Sequence, residues 1–368
     1  MENKYKACMI LHALGDTIGF KNGDWEFNYI RSNAGYGLIH EMIYEFIDLG
    51  GINGIDLKGW HISDDTLYHI AIANGILRIK GEYDEDNKFI FKKELVDMHN
   101  RIQLDAQKLH INRYAGANTT KYILKFNEGD AETLPYDPES GGNGCAMRSL
   151  CIGLAFFGEN NRSKLIELSI RTSKLTHNSP YGYLAGLTSA YFTALAIEGV
   201  NIYKWPFMLI ELLKSKGVKK YVNFDSVDES YDYNMYVKYW RKYIDTRFSK
   251  DKPLKTKIHT NLIFRSKYYF ENFVKNDMDE LYIGGSGHSA MIMAYDSLID
   301  CDGKWEKLIF YSILHPGDSD TVGAITGGLY GVLYGLGDVP TTMLDHLEEK
   351  NKLTELGEKI YHKFYLGD

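Results

Sequence analysis

The chain has 368 residues, enough for one large domain or two or three smaller ones, and its 44% hydrophobic and 25% charged residues are the balance of a folded protein, not of a disordered or collagen-like one. A formal charge of -7 gives no positive field to draw it toward nucleic acid or an anionic membrane. The four cysteines, Cys8, Cys145, Cys151 and Cys301, show neither a Cys-x-x-Cys pair nor zinc-type histidine spacing, so reduced core thiols in a cytoplasmic protein are expected.

With 7 prolines against 35 glycines, the composition favours helices joined by glycine loops. The N-terminus enters a helical period (Cys8, Leu11, Leu14) without the features of a signal peptide, so secretion is not expected. Within that first helix, Ala13-Leu14-Gly15-Asp16-Thr17-Ile18-Gly19 sets an acid in an apolar stretch. Asp16 either has a buried partner or ends the helix at the surface, and the sequence leaves both open. A second helical pattern, Ile39, Ile43, Phe46 and Ile47, stops at Gly50-Gly51.

The most apolar stretches, Tyr181 to Ile197 and Val322 to Leu336, fall short of the roughly 20 apolar residues of a membrane span and read as buried helices. Lys238 to Lys257 interleaves aromatic and basic residues, which predicts an amphipathic helix with a solvated basic face rather than a nucleic-acid surface. Lys250 to Lys257, around Pro253, reads as a surface loop. The last helical pattern runs near Leu353 to Phe364. Period-two segments are short and scattered, so the expectation is an all-α fold in one domain over residues 1–368.

Two polar clusters carry the chemistry. Ser63-Asp64-Asp65-Thr66 precedes an apolar helix and reads first as an N-cap with acids at the positive end of the helix dipole. His315-Pro316-Gly317-Asp318-Ser319-Asp320-Thr321 opens a second apolar helix with the same mixture. If the two starts face each other, four carboxylates converge and require a counter-charge, and hard oxygen donors select magnesium over zinc. Three glycine loops, Ala115-Gly116-Ala117, Gly141-Gly142-Asn143-Gly144 and Gly284-Gly285-Ser286-Gly287-His288, each precede a helical pattern and could offer N–H groups to an anion, or be plain turns. Gly285 to Ala290 matches a dinucleotide fingerprint but lacks the βαβ context, and no complete nucleophile elbow surrounds Ser286 or Ser319. Cys145 lacks a paired base.

Together, Gly15-Asp16-Thr17-Ile18-Gly19, Trp25-Glu26-Phe27, Ser63-Asp64-Asp65-Thr66, Gly144-Cys145-Ala146-Met147-Arg148, Thr176-His177, Ser286-Gly287-His288 and Gly317-Asp318-Ser319-Asp320-Thr321 resemble the ADP-ribosylglycohydrolase family over nearly the whole chain, most closely its ADP-ribosylarginine hydrolase branch. The resemblance implies an orthogonal helical bundle with two Mg2+ ions held by Ser63, Asp64, Asp65, Asp318, Asp320 and Thr321. It implies Glu26 as the residue gating the cleft, and ADP-ribose lying along Gly116, Gly141, Gly142, Gly144, Tyr282, Gly285, Ser286, Gly287 and His288, with Arg148 and His177 nearby. Where the arginine branch has Gly-His-Asp, this chain has Gly287-His288-Ser289. The implied activity is hydrolysis of the N-glycosidic bond between ADP-ribose and arginine on modified proteins, by a monomer, with Asp64 or Asp65 as base and Glu26 assisting. Cleavage of O-linked ADP-ribose (on serine or in O-acetyl-ADP-ribose) and non-catalytic ADP-ribose binding are the rival readings.

Overall fold

A computed structural model describes residues 1–27, 37–127, 134–222, 224, 226–274 and 282–367. Eight helices position the site: α1 (Glu2–Phe20), α2 (Asp64–Arg78), α3 (Glu85–Leu109), α4 (Pro180–Ile197), α5 (Val227–Arg247), α6 (Leu262–Phe273), α7 (Gly287–Asp300) and α8 (Ser319–Tyr334). Shorter helices and turns connect them. The one sheet among the described residues is a two-stranded antiparallel hairpin, Phe248–Ser249 with Lys252–Pro253. The fold is thus the all-α orthogonal bundle expected, and one continuous hydrophobic cluster reaches from Tyr5 to Ile360.

α4 has no polar face because every residue from Pro180 to Ile197 is buried. Proline occupies its first turn, where the missing N–H costs nothing, and α5, α7 and α8 pack around it. No helix among the described residues is long and apolar enough to cross a membrane. α8 is likewise buried as far as Val332.

The contact between α1 and α8 decides where the acids lie. These helices touch backbone to backbone through glycines spaced four apart. A Cβ added at Gly323 would lie 2.6 Å from Gly15 O, at Gly327 2.1 Å from Leu11 O, and at Gly331 2.4 Å from Ala7 O. Any side chain there would force the pair apart.

Several details differ from the sequence expectation. Ile47 and Leu336 are exposed, Leu336 because α8 ends at Tyr334. The loop at Lys250 contains half of the small hairpin. The amphipathic helix expected over Lys238 to Lys257 is α5, which starts earlier and ends at Arg247; Tyr236, Trp240 and Tyr243 are buried, but Arg247 leaves the basic face and is fully buried. It pairs there with Asp296 and Asp300 of α7, alongside Arg265 of α6. The four cysteines are free and buried.

Candidate functional site

Ser63 caps α2: its Oγ accepts from the Asp65 N–H at 3.1 Å. Asp318 caps α8 in the same way, accepting from the Thr321 N–H at 3.3 Å. The local reading of both clusters therefore holds. What brings them together is α1. Asp16, fully buried near the end of α1, accepts from the Ser63 N–H at 3.1 Å, from the Thr66 N–H at 3.2 Å and from the Thr66 hydroxyl. Of its two sequence readings, the partnered one is correct. Burial pushes its carboxyl up to about 6, although these hydrogen bonds act in the opposite direction.

One turn further on, Gly19 lies against the start of α8. A Cβ there would be 2.4 Å from Ser319 O, and the Ser319 hydroxyl donates to Gly19 O at 2.8 Å. α1 therefore braces the starts of both α2 and α8 against each other.

The consequence is a cluster of buried acids. Asp64, Asp65, Asp318 and Asp320 are all nearly inaccessible, and the Thr321 hydroxyl is within hydrogen-bonding reach of Asp65. Glu26 joins them from the turn after α1, which is pinned on both sides. The Trp25 indole is buried and donates to Glu45 at 2.7 Å, and the Phe27 N–H donates to Gly317 O at 2.9 Å. Burial first, and then the negative charge of neighbours, pushes Glu26, Asp65 and Asp320 well above the usual carboxylate range. Burial does the same to Asp64 although the Gly116 N–H, 3.3 Å from its Oδ2, acts against it. Asp318 is raised less, since burial is offset by hydrogen bonds from Asp320, Asn143 and Thr321.

Two oxygens in the cluster, Asp65 Oδ2 and Glu26 Oε2, are buried without a hydrogen-bond partner. Among the described residues no three His, Cys, Asp or Glu side chains are arranged to enclose one ion, so the cluster offers separate carboxylates rather than a closed cage. That donor set fits magnesium, which takes one or two carboxylates and keeps several waters, and it lacks the sulfur or nitrogen ligands of a structural zinc site.

Beside the acids the second and third glycine loops are zipped together. Gly142 and Ser286 form an antiparallel bridge, and the Gly287 N–H donates to Gly141 O at 3.0 Å. With Tyr181, Tyr282, Gly285 and His288 they line a cavity of about 170 Å³, below the range of pockets that enclose a drug-sized ligand. Tyr282 is exposed at the mouth with its ring 6.1 Å from that of Phe27. His288 is buried beneath, stacked on Tyr239 at 4.2 Å.

Gly144 makes room for His177, whose Cε1 would lie 2.8 Å from a Cβ there. Arg148 stands behind this wall at 1% exposure and donates to Thr172 O at 3.1 Å and Thr176 Oγ at 2.8 Å. Thr176 in turn lies 2.8 Å from His177 Nδ1. Burial and then the Arg148 charge push His177 down to about 3, so the ring is neutral, with Nε2 facing the glycine loop. Arg148 reaches the glycine loop through Thr176 and His177.

The helices expected after the glycine loops form directly at Ala117 and Gly287, but after Gly144 a run of turns intervenes and the helix begins only at Leu150. The sequence reading also passed over Asn143. Its side-chain amide donates to Gly284 O and to Asp318 Oδ2, both at 2.8 Å, tying the two glycine loops to the acid cluster. The available signal was a lone amide side chain among three glycines.

The sequence profile of the ADP-ribosylglycohydrolase family matches residues 1–368. An Acanthamoeba polyphaga mimivirus protein, whose name assigns it provisionally to the ADP-ribosyl glycohydrolases, is 37% identical over 94% of this chain and 67% of its own length. The ADP-ribosylhydrolase ARH1 of Dictyostelium discoideum is 31% identical over 96% of this chain and 93% of its own. The mouse ADP-ribosylhydrolase ARH3 is 22% identical over 98% and 92%. A solved chain from an ADP-ribosylglycohydrolase-related protein complex shares the fold, with a TM-score of 0.58 at 15% identity over 98% of both chains. The chain belongs to the ADP-ribosylglycohydrolase family and is a hydrolase of that family.

Proposed function

We propose that the protein is a magnesium-dependent hydrolase that releases ADP-ribose from arginine side chains of modified proteins. The observation that carries this reading is the meeting of the α2 and α8 starts, which leaves buried carboxylates whose charge only a cation or a cationic group can offset. Ser63, Asp64, Asp65, Asp318, Asp320 and Thr321 would hold two Mg2+ ions. When bound, such ions supply polarisation of ribose hydroxyls and of a water.

The chain's own residues do the remainder. Asp64 or Asp65 takes a proton from the attacking water, and Glu26, fixed by Trp25 and Phe27, orients the reacting end of the substrate. His177 turns Nε2 toward the glycine loop, where the diphosphate would lie. The adenosine end would enter between Tyr282 and Tyr181, over His288. The arginine guanidinium is already protonated, so it leaves as neutral guanidine and then takes up the proton that Asp64 or Asp65 removed from water; as the bond stretches, positive charge develops on the ribosyl carbon, which suits a site rich in carboxylates.

The arginine linkage is supported by the likeness of Trp25-Glu26-Phe27, Lys219 to Val222 and Lys238 to Ile244 to the arginine branch. The resemblance to a relative named ADP-ribosylhydrolase ARH1 at 31% identity, against 22% for one named ARH3, points the same way. We read the protein as a cytoplasmic monomer. Release of ADP-ribose from arginine-modified and serine-modified protein, each with and without Mg2+, tests the reading. Magnesium-dependent release from arginine is expected, and release from serine alone would replace it with the O-linked activity.

A further inference from the structure

Residues 60–63 lead into α2 but lie in no helix or strand, so their peptide groups must find partners elsewhere. The His61 N–H goes to Asn22 Oδ1 at 2.9 Å and the Ser63 N–H to Asp16. Both peptide groups of Ile62 are taken by an ion pair from remote parts of the chain. Its N–H donates to Glu348 Oε2 at 3.0 Å, and its carbonyl accepts from Arg113 Nη1 at 2.6 Å. Arg113 and Glu348 are joined by two contacts, Nη2 to Oε1 at 2.7 Å and Nη1 to Oε2 at 3.1 Å.

The arginine is 1% exposed and is anchored from behind by Asp105 of α3, which accepts from its Nε at 2.8 Å. Its carbonyl accepts the Asp64 N–H at 3.1 Å, and three residues on, the Gly116 N–H reaches Asp64 Oδ2. Burial raises the Glu348 carboxyl, but the bonds from Arg113 outweigh it and hold it below the usual range, so the pair is ionised.

We propose that Arg113 and Glu348 are positioning residues that clamp the Ile62–Asp64 segment and thereby fix the Asp64 and Asp65 carboxylates for a divalent cation. The inference rests on the magnesium reading above. Neither residue touches the reacting atoms. α2 itself packs into the core through Leu67, Ile70 and Ile76 and does not need the clamp to form. Removing the clamp frees the approach to the helix while leaving the helix in place. Partners of this kind, which orient ligands without binding the metal, typically carry a factor of about 10–100 in metal affinity or activity.

The test uses the full chain with Glu348→Gln, Arg113→Lys and, as a control, Arg101→Gln, which removes a neighbour of Asp105 and Glu348 and a partner of Glu349 that makes no bond to Ile62. Calorimetric titration with MgCl2 is expected to show affinity weakened about 10–100-fold in the first two variants and unchanged in the control. Amide hydrogen exchange at Ile62 and Asp64 should speed up in the same two variants without metal. Saturating Mg2+ should restore most of the turnover, which a general loss of fold would not allow. Should the Gln variant fail to fold, Arg113→Lys gives the same readouts, since an ammonium cannot bridge Ile62 O and Glu348 bidentately. Magnesium affinity and amide exchange equal to wild type in both variants would overturn the clamp. A wild-type protein that binds no Mg2+ would instead overturn the magnesium reading and with it the cation-positioning role.

Discussion

Asp296, on α7, and Asp65 and Asp320, at the starts of α2 and α8, are buried to similar degrees, yet their surroundings have opposite effects. Asp296 lies between the guanidiniums of Arg247 and Arg265, each 2.7 Å away, and accepts from the hydroxyls of Tyr243 and Tyr269. Burial alone would raise its carboxyl, but the two arginines and then the tyrosines hold it far below the usual range. At Asp65 and Asp320, burial and other carboxylates act in the same direction, upward. The first arrangement fastens α5, α6 and α7 together, whereas the second gathers acids that raise one another. Burial of an acid does not by itself mark a candidate site; burial with no counter-charge among the described residues does.

This contrast can be broken most forcefully at Asp296. Asp296→Ala strands two buried guanidiniums and is expected to cost about 3–5 kcal/mol in denaturant unfolding, with any loss of activity following loss of fold. Asp320→Ala should do the reverse, lowering turnover at least about 100-fold while the metal-free unfolding free energy stays level or rises. If both variants were destabilised alike, the distinction between the two regions would fail.

Gly327→Ala tests how the site is held together. Its Cβ would meet Leu11 O at 2.1 Å, so unfolding should become easier by about 1–3 kcal/mol, and magnesium affinity should fall because α1 can no longer brace both helix starts.

The smallest effect expected is a pH dependence. In the unfolded chain aspartyl groups titrate near 3.8, whereas in the metal-free fold the cluster acids titrate higher, Asp16 at about 6. Above the unfolded value the folded state therefore holds more protons than the unfolded state. The site's contribution to stability is whole below that value and is lost as pH rises through the raised ones. On the proposed magnesium reading Mg2+ would displace those protons, so the gain in melting temperature on adding MgCl2 should grow as pH rises through the same window, and a gain independent of pH would contradict the account.

The sequence made the local features legible. Ser63 is a cap, the stretch from Tyr181 to Ile197 is a buried helix, and the cysteines are core thiols, because each follows from a pattern within a few residues. The meeting of the two acid clusters was only conditional, because it depends on glycines of α8 seating on α1, and four-residue spacing does not name the partner helix. Asp16 could not be resolved for a similar reason, its partners being 47 and 50 residues away. Asn143 was read only as part of a glycine loop, anion-binding or plain turn, although its side chain ties that loop to Asp318. Arg247, in a stretch of surface cations, turned inward because α7 supplies two carboxylates that no local pattern shows.

The central claim, that the starts of α2 and α8 form one magnesium site serving hydrolysis, is tested most directly by titrating MgCl2 into wild type and Asp320→Ala while measuring ADP-ribose released from arginine-modified protein. The account predicts release that saturates with Mg2+, stops on chelation and is lost in the variant. Release that is indifferent to Mg2+ and undiminished in Asp320→Ala would contradict it.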